Sequence, residues 1–333
     1  MPDRPQKNYL DVPLQMNLEL TTSCPLKCPQ CYVHTNTGEN MELGVALKRL
    51  REGAAAGVEM VNLSGGETLC YPYLDELVAE CRKLSLTSAV ALSGAYATRE
   101  RLSTLIDAGV TEIFVSLNGS TEEINSISRD GYDLAVHTLS VLRELSFPET
   151  YINFVMQRSN AHDLPAMASL AEEYGVKGLV VLAFKPDAAH EFEAFPTEDQ
   201  LREAAAFIRN YRGSTIIDAE PCFSQLRAIY GKVFWGNRNI GIQRGCGAGR
   251  DGFSVDVKGR LTPCRHLDFP EEDTISSYWE NSPVLKMLRG IEERREPPCK
   301  GCDYEPNCLP CAAVGVKLHG KISACMPECP LCR

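Results

Sequence analysis

The chain has 333 residues, a formal net charge of −10, 44% hydrophobic and 23% charged residues, and fifteen cysteines. That length and balance fit a globular protein of one large or two modest domains. The acidic balance speaks against nucleic acid, whose phosphates demand a basic surface. No apolar run reaches the roughly 18 residues of a membrane helix. Residues 1–8 lack the apolar centre of a signal peptide. A cytoplasmic protein with no membrane partner is therefore expected, and there the clustered cysteines read as metal ligands rather than disulfides.

After an N-terminal extension, residues 1–15, strand patterns occupy 16–21, 58–63, 87–92, 112–117, 151–156 and 178–184. Helical patterns lie between them at 43–56, 73–84, 98–107, 132–145 and 164–174, amphipathic by spacings such as Leu134, Leu139, Leu142 and Leu145. Such alternation implies an α/β fold with a parallel sheet and right-handed crossovers. Six units over 16–185 are too few for a closed eight-fold barrel. A loop at 186–196 and a helical pattern at 197–211 open a bridging region, 186–245. From Cys246 the composition changes, with nine cysteines in 88 residues. Residues 246–333 are expected to form a second domain held by metal rather than by apolar burial.

The chemistry-bearing residues follow strand ends, where parallel β/α folds gather their ligands. Cys24-x3-Cys28-x2-Cys31 follows the first strand, and thiolates are soft ligands suited to iron–sulfur clusters or zinc. Three such ligands leave one iron of a four-iron cluster open. Gly65-Gly66-Glu67 ends the second strand pattern: the glycines permit a close backbone approach, and the carboxylate can hold an ammonium group. Ser93, Ser116 and Asn118 close the next strands, and Arg129 suits bidentate recognition of a carboxylate. Cys70 and Cys81 read as small buried apolar residues. The tail carries Cys246-x12-Gly259-x4-Cys264, then Cys299-x2-Cys302-x5-Cys308-x2-Cys311, then Cys325-x3-Cys329-x2-Cys332. Paired Cys-x2-Cys units also make structural zinc sites, the competing reading of the tail.

In this order the motifs resemble the radical SAM superfamily over 16–185, and the tail resembles its SPASM extension, found in enzymes that modify ribosomally made peptides. The resemblance implies a partial (β/α)6 barrel followed by an irregular cysteine-rich domain. It implies a [4Fe-4S] cluster on Cys24, Cys28 and Cys31, with S-adenosylmethionine (SAM) chelating the open iron. Glu67, with Gly65 and Gly66, would meet the SAM amine, Arg129 its carboxylate, and Ser93, Ser116 and Asn118 other parts of the molecule. Asn118 stands where the family has Asp. Gln30 replaces a common aromatic, so Tyr32 would supply the adenine contact.

Two auxiliary [4Fe-4S] clusters are implied as well. Cys299, Cys302, Cys308 and Cys325 would hold the outer one, and Cys246, Cys264 and Cys311 the inner one. The inner fourth place stays open between Cys222, Cys329, Cys332 and a vacancy for substrate. Two residues separate Cys308 from Cys311 where the family has three. The repeat of the first motif's spacing at Cys325, Cys329 and Cys332 reads as coincidence. Cys222 is a ligand, a hydrogen-atom donor or an inert thiol.

The implied activity is reductive cleavage of SAM to a 5′-deoxyadenosyl radical that abstracts hydrogen from a substrate C–H bond. A flavodoxin- or ferredoxin-type reductant would supply the electron. The implied substrate is a ribosomally made peptide that is crosslinked, thioether-bridged, epimerised or oxidised. A protein side chain or a cofactor or tetrapyrrole precursor is the alternative. A non-catalytic electron carrier is the reading of another class, and Glu67 with its glycines argues against it. With only 1–15 before the first strand, a separate leader-peptide-binding protein is implied, or a substrate without a leader.

Overall fold

The computed structural model describes residues 7–32, 36–231, 245–323 and 325–332. The regions 1–15 and 186–245 of the sequence reading lie partly outside these residues. Alternation of side chains builds the sheet. In β1 (Gln15–Thr21), Met16, Leu18 and Leu20 are buried on one face while Asn17 and Glu19 take the other. β2 (Met60–Gly65), β3 (Thr87–Leu92), β4 (Glu112–Ser116), β5 (Thr150–Met156) and β6 (Gly178–Ala183) follow in parallel and in chain order.

The crossovers are α1 (Leu43–Ala56), α2 (Leu74–Lys83), α3 (Arg99–Ala108), α4 (Glu122–Ser126) with α5 (Tyr132–Glu144), and α6 (Leu164–Glu173). Threonine side chains begin three of the first seven helices. Thr98 caps α3, Thr121 caps α4, and Thr197 forms a capping box with Gln200 at the start of α7 (Glu198–Asn210). Apart from the short α4, each of these strands and helices lies where periodicity places it. Within α5 the expected stripe is partial, since Leu139 and Leu142 are buried but Leu134 is exposed.

The sheet does not stop at residue 185. β7 (Ile216–Ala219), from the bridging region, pairs parallel with β6. β8 (Gly252–Val255), from the tail, pairs parallel with β1, and β9 (Leu261–Thr262) turns back on it. The order is β7-β6-β5-β4-β3-β2-β1-β8-β9. No strand among the described residues joins β7 to β9, so the barrel is open.

The tail also differs from expectation. Around β8, β9, α9 (Ile275–Asn281) and α10 (Pro283–Arg289), Phe253, Val255, Leu261, Ile275 and Tyr278 are buried in the same apolar core as the barrel. Buried Arg49 of α1 ties this part down, donating to the carbonyls of Gly259 at 2.9 Å and Asp273 at 2.8 Å. Apolar burial therefore organises the first half of the tail. Beyond residue 297 the regular structure reduces to α11 (Ala312–His319). α8 (Ser224–Tyr230) packs between α7 and this last segment, its Ser224 hydroxyl 3.3 Å from the Cys308 sulfur.

Candidate functional site

The first two strand ends interlock. The Gly66 amide donates to Thr21 O at 2.7 Å and the Glu67 amide to Ser23 O at 2.8 Å. A Cβ on either glycine would stand 2.3 Å from a carbonyl oxygen, Thr21 O for Gly65 and Ser23 O for Gly66. The close approach that demands glycine is thus between two loops of the protein rather than to a ligand. It sets Glu67 beside the Cys24 loop.

Glu67 is fully buried and accepts from the Leu69 amide at 3.0 Å, the Ser93 amide at 2.7 Å and the Ser93 hydroxyl. Burial pushes its pKa up, while those donors and the charge of Arg129 oppose the rise. Ser93, expected at the cofactor, spends its hydroxyl and amide on Glu67.

The Cys24–Cys31 loop is held from the other side. The Lys27 amide donates to Asp130 Oδ2 at 2.8 Å and the Gln30 amide to Ser128 O at 3.3 Å. Cys24, Cys28 and Cys31 are half-buried free thiols. Burial, with the Glu67 charge adding to it, pushes Cys24 up to about 11. Iron must therefore displace a proton to bind there. The Nε of Arg129 is buried without a hydrogen-bond partner among the described residues. A guanidinium N–H left open beside a thiol loop and a buried carboxylate asks for an anion. An α-amino acid end fits this arrangement, its amine toward Glu67 and its carboxylate toward Arg129.

Asn118 is fully buried and committed at both ends: its Nδ2 donates to Ser128 Oγ at 3.0 Å and its Oδ1 accepts from the Val155 amide at 3.0 Å. It fixes the loop that carries Arg129 instead of reaching outward. Ser116, half-buried at the end of β4, pairs in register with Asn153. Tyr32 packs against Glu19, Arg265 and His266. Its hydroxyl donates to Glu19 at 3.3 Å and accepts from Arg265 at 3.3 Å, and its ring lies 4.8 Å from that of His266.

Arg265 also reaches Asn17 at 3.2 Å. Burial raises the pKa of Glu19 against the pull of Arg265 and Tyr32. Sequence reasoning missed this lumen network. The polar Asn17 and Glu19 within an apolar strand were its only signal. Cys81 is buried in α2 as expected, whereas Cys70 is half-buried in the field of Glu67.

The tail cysteines fall into two groups. Cys222 lies beside Cys246 and Cys311, and Cys264 lies near Cys311. Cys246 and Cys264 each accept an amide from two residues on, Ala248 and His266, at 3.4 Å. Lys185, just beyond β6, adds a cation beside Cys222 and Cys311 and pairs with Glu220 at 2.6 Å. Of the candidates for the inner fourth place, the structure brings Cys222 here.

Cys329 and Cys332 join the other group. With Cys299, Cys302 and Cys308 they line one cavity, and the Cys332 and Cys302 sulfurs are 3.4 Å apart. Cys325 lies beside Cys299 with its thiol directed at Pro297 O, 3.3 Å away. Among the described residues no three His, Cys, Asp or Glu side chains are arranged to hold a single metal ion. A four-iron cluster asks for a different cage, one thiolate on each iron.

Comparison with known proteins agrees with this architecture. Residues 18–171 match the family model of the radical SAM superfamily. A PqqA peptide cyclase of Bradyrhizobium diazoefficiens is 30% identical over 348 aligned residues, covering 96% of this chain and 87% of that one. Another from Methylorubrum populi is 27% identical, covering 97% and 86%. Among solved structures, Streptococcus suis SuiB bound to S-adenosylmethionine superposes with a TM-score of 0.77 at 17% identity, covering 97% of this chain and 77% of that one. Native anSMEcpe with bound AdoMet and the Cp18Cys peptide gives 0.72 at 16%, covering 93% and 92%. With relatives aligned along nearly its whole length, barrel and tail together, the chain belongs to the radical SAM superfamily, whose cofactors are a [4Fe-4S] cluster and S-adenosylmethionine.

Proposed function

We propose that this enzyme modifies a ribosomally made peptide in the cytoplasm, drawing electrons from a flavodoxin- or ferredoxin-type reductant. Cys24, Cys28 and Cys31 hold the cluster. Glu67 takes the SAM amine and Arg129 its carboxylate, while Ser93 and Asn118 position those two side chains. The bound cofactors supply one-electron cleavage of a carbon–sulfur bond, and with it the power to remove hydrogen from an unreactive C–H bond. The barrel's part is to orient the substrate and exclude water. Glu19, Tyr32 and Arg265 line its interior between the first thiol loop and the inner thiol group.

In this reading residues 16–185 carry the radical chemistry and 246–333 carry two auxiliary [4Fe-4S] clusters. Cys222, Cys246, Cys264 and Cys311 hold the inner one, with Cys222 supplied by the bridging region. Clusters held there would offer a place for the electron left after bond formation.

The observation that carries the peptide reading is that relatives named peptide cyclases align with the cysteine-rich tail as well as the barrel. The test is anaerobic incubation of reconstituted enzyme with SAM, dithionite and small precursor peptides encoded beside its gene, read by mass spectrometry. Loss of two hydrogens marks a crosslink or oxidation, and unchanged mass with deuterium uptake from solvent marks an epimerisation. 5′-Deoxyadenosine without a changed peptide, even after adding a separate leader-binding protein, would turn the search to protein side chains and cofactor precursors. Absence of 5′-deoxyadenosine would leave only an electron carrier.

A further inference from the structure

The inner face of the barrel carries polar groups that the SAM site does not use. β1 turns Asn17 and Glu19 away from its buried apolar face. The parallel register sets Ser64 of β2 beside Glu19, on the same face of the sheet. Tyr32 and Arg265 close over them, with His266 against the Tyr32 ring.

Three atoms here are left open. Ser64 Oγ and His266 Nδ1 are buried without a hydrogen-bond partner among the described residues. Half-buried Glu19 has one side-chain hydrogen bond among those residues, the 3.3 Å contact from Tyr32 to Oε1, and none at Oε2. Arg265 spends its hydrogen bonds on Tyr32 and Asn17, so it acts on Glu19 through charge alone. A carboxylate needed only to balance that cation would meet the guanidinium in the bidentate geometry the pair favours. Instead a carboxylate oxygen and a hydroxyl stand side by side without partners. Buried polar atoms want partners, and a substrate group bearing an S–H, O–H or N–H supplies one.

The surroundings also make Glu19 a stronger base than an exposed carboxylate. Burial raises its pKa, the Arg265 charge and the Tyr32 hydrogen bond oppose the rise, and the charge of Asp256 adds to it. The balance lies above the ordinary value, nearer the neutral range where a general base is most effective.

We propose that Glu19 is the proton acceptor when this enzyme joins a substrate carbon to a second residue bearing an S–H, O–H or N–H group. This deepens the peptide-modification reading and rests on it. In such a crosslink one C–H and one heteroatom–hydrogen bond break, and one carbon–heteroatom bond forms. The first hydrogen leaves as an atom and ends in 5′-deoxyadenosine. The second leaves the heteroatom as a proton and goes to Glu19 Oε2. One electron remains, for which the auxiliary iron–sulfur clusters are the acceptor. Ser64 stands beside the carboxylate as a second hydrogen-bonding group for the same substrate end.

The experiment compares reconstituted full-length parent, Glu19→Gln and Glu19→Asp on the precursor peptide encoded beside the gene, made with deuterated residues. The readout is crosslinked peptide per deuterium-labelled 5′-deoxyadenosine, across roughly pH 5–9. Circular dichroism and iron content verify that each variant is folded and loaded. In Glu19→Gln labelled 5′-deoxyadenosine should still form, while the ratio falls by about a hundredfold or more. Glu19→Asp should restore part of it. The parent's ratio should decline toward acid pH above the ordinary carboxylate range, and Glu19→Gln should lack that limb. Infrared difference spectra of the cofactor-free parent should show a carboxylate titrating over the same limb and missing from Glu19→Gln. An undiminished ratio in Glu19→Gln overturns the inference while the peptide reading stands. Loss of both products in parallel overturns it too, because it marks a structural role. A parent that makes no crosslink overturns the chemistry on which the inference rests, and the inference with it. Should Glu19→Gln misfold, the ratio in Glu19→Asp and the acid limb of the parent decide the question.

Discussion

The barrel and the last segment of the tail are stabilised in different ways. Across the first four strands, Leu18, Leu63, Val90 and Ile113 stand in register, all fully buried under the crossover helices. The strand ends carrying the thiol loop, Glu67 and Ser93 are therefore placed by apolar packing before any metal arrives. Among the described residues from 297 to 332 there is one α-helix, and nearly everything else is turn and loop around cysteines. Leu309, Ala312, Ala313, Val314 and Met326 still join the common apolar core, and clusters held as proposed would add their binding free energy to folding there.

The largest effects should separate the two regions. Cys28→Ala is expected to lower SAM cleavage by roughly a thousandfold or more, with iron in the tail retained. Loss of all iron would mean that the first loop organises the tail, and retained cleavage would displace the cluster from this loop. Stripping iron from the whole protein should expose the segment beyond residue 297 to limited proteolysis first. The barrel's circular dichroism should persist. Simultaneous collapse of both would erase the distinction.

The junction is next. Lys185 and Glu220 form a largely buried ion pair, and Glu220 also accepts the Ala183 amide at 2.8 Å. Lys185→Met leaves a carboxylate without its cation, at an expected cost of about 3–5 kcal/mol. Unfolding monitored through far-ultraviolet circular dichroism and through cluster absorbance should show the loss in both signals, since the pair joins the end of β6 to the inner thiols. The double variant Lys185→Met/Glu220→Gln should recover much of it. A single-variant cost below about 1 kcal/mol would mean the pair behaves as an exposed one.

What the sequence disclosed follows the same division. The barrel was legible because six strands and their helices are long enough for periodicity to be counted. β7, β8 and β9 span four, four and two residues, too few for alternation to register. Glu67 and the first three cysteines sit within motifs whose chemistry is local. The Tyr32–Arg265 contact joins residues 233 apart, and Cys222 meets Cys246 and Cys311 only through the fold. Linear spacing carries no record of either.

The smallest effect probes whether barrel packing reaches the tail at all. The α7 capping box has the Thr197 hydroxyl accepting from the Gln200 amide at 3.3 Å and the Gln200 side chain accepting from the Thr197 amide at 3.0 Å. Thr197→Ala removes one half and should cost about 1 kcal/mol, a shift of a few degrees in melting temperature. α7 packs on α8, whose Ser224 touches Cys308, so the loss is delivered within one helix of the outer thiols. If metal sets that segment, iron content and SAM cleavage should stay unchanged while the barrel melts earlier. A fall in tail iron would instead show that the helical layer holds the cage open for its cluster, making the last segment an extension of the barrel's packing.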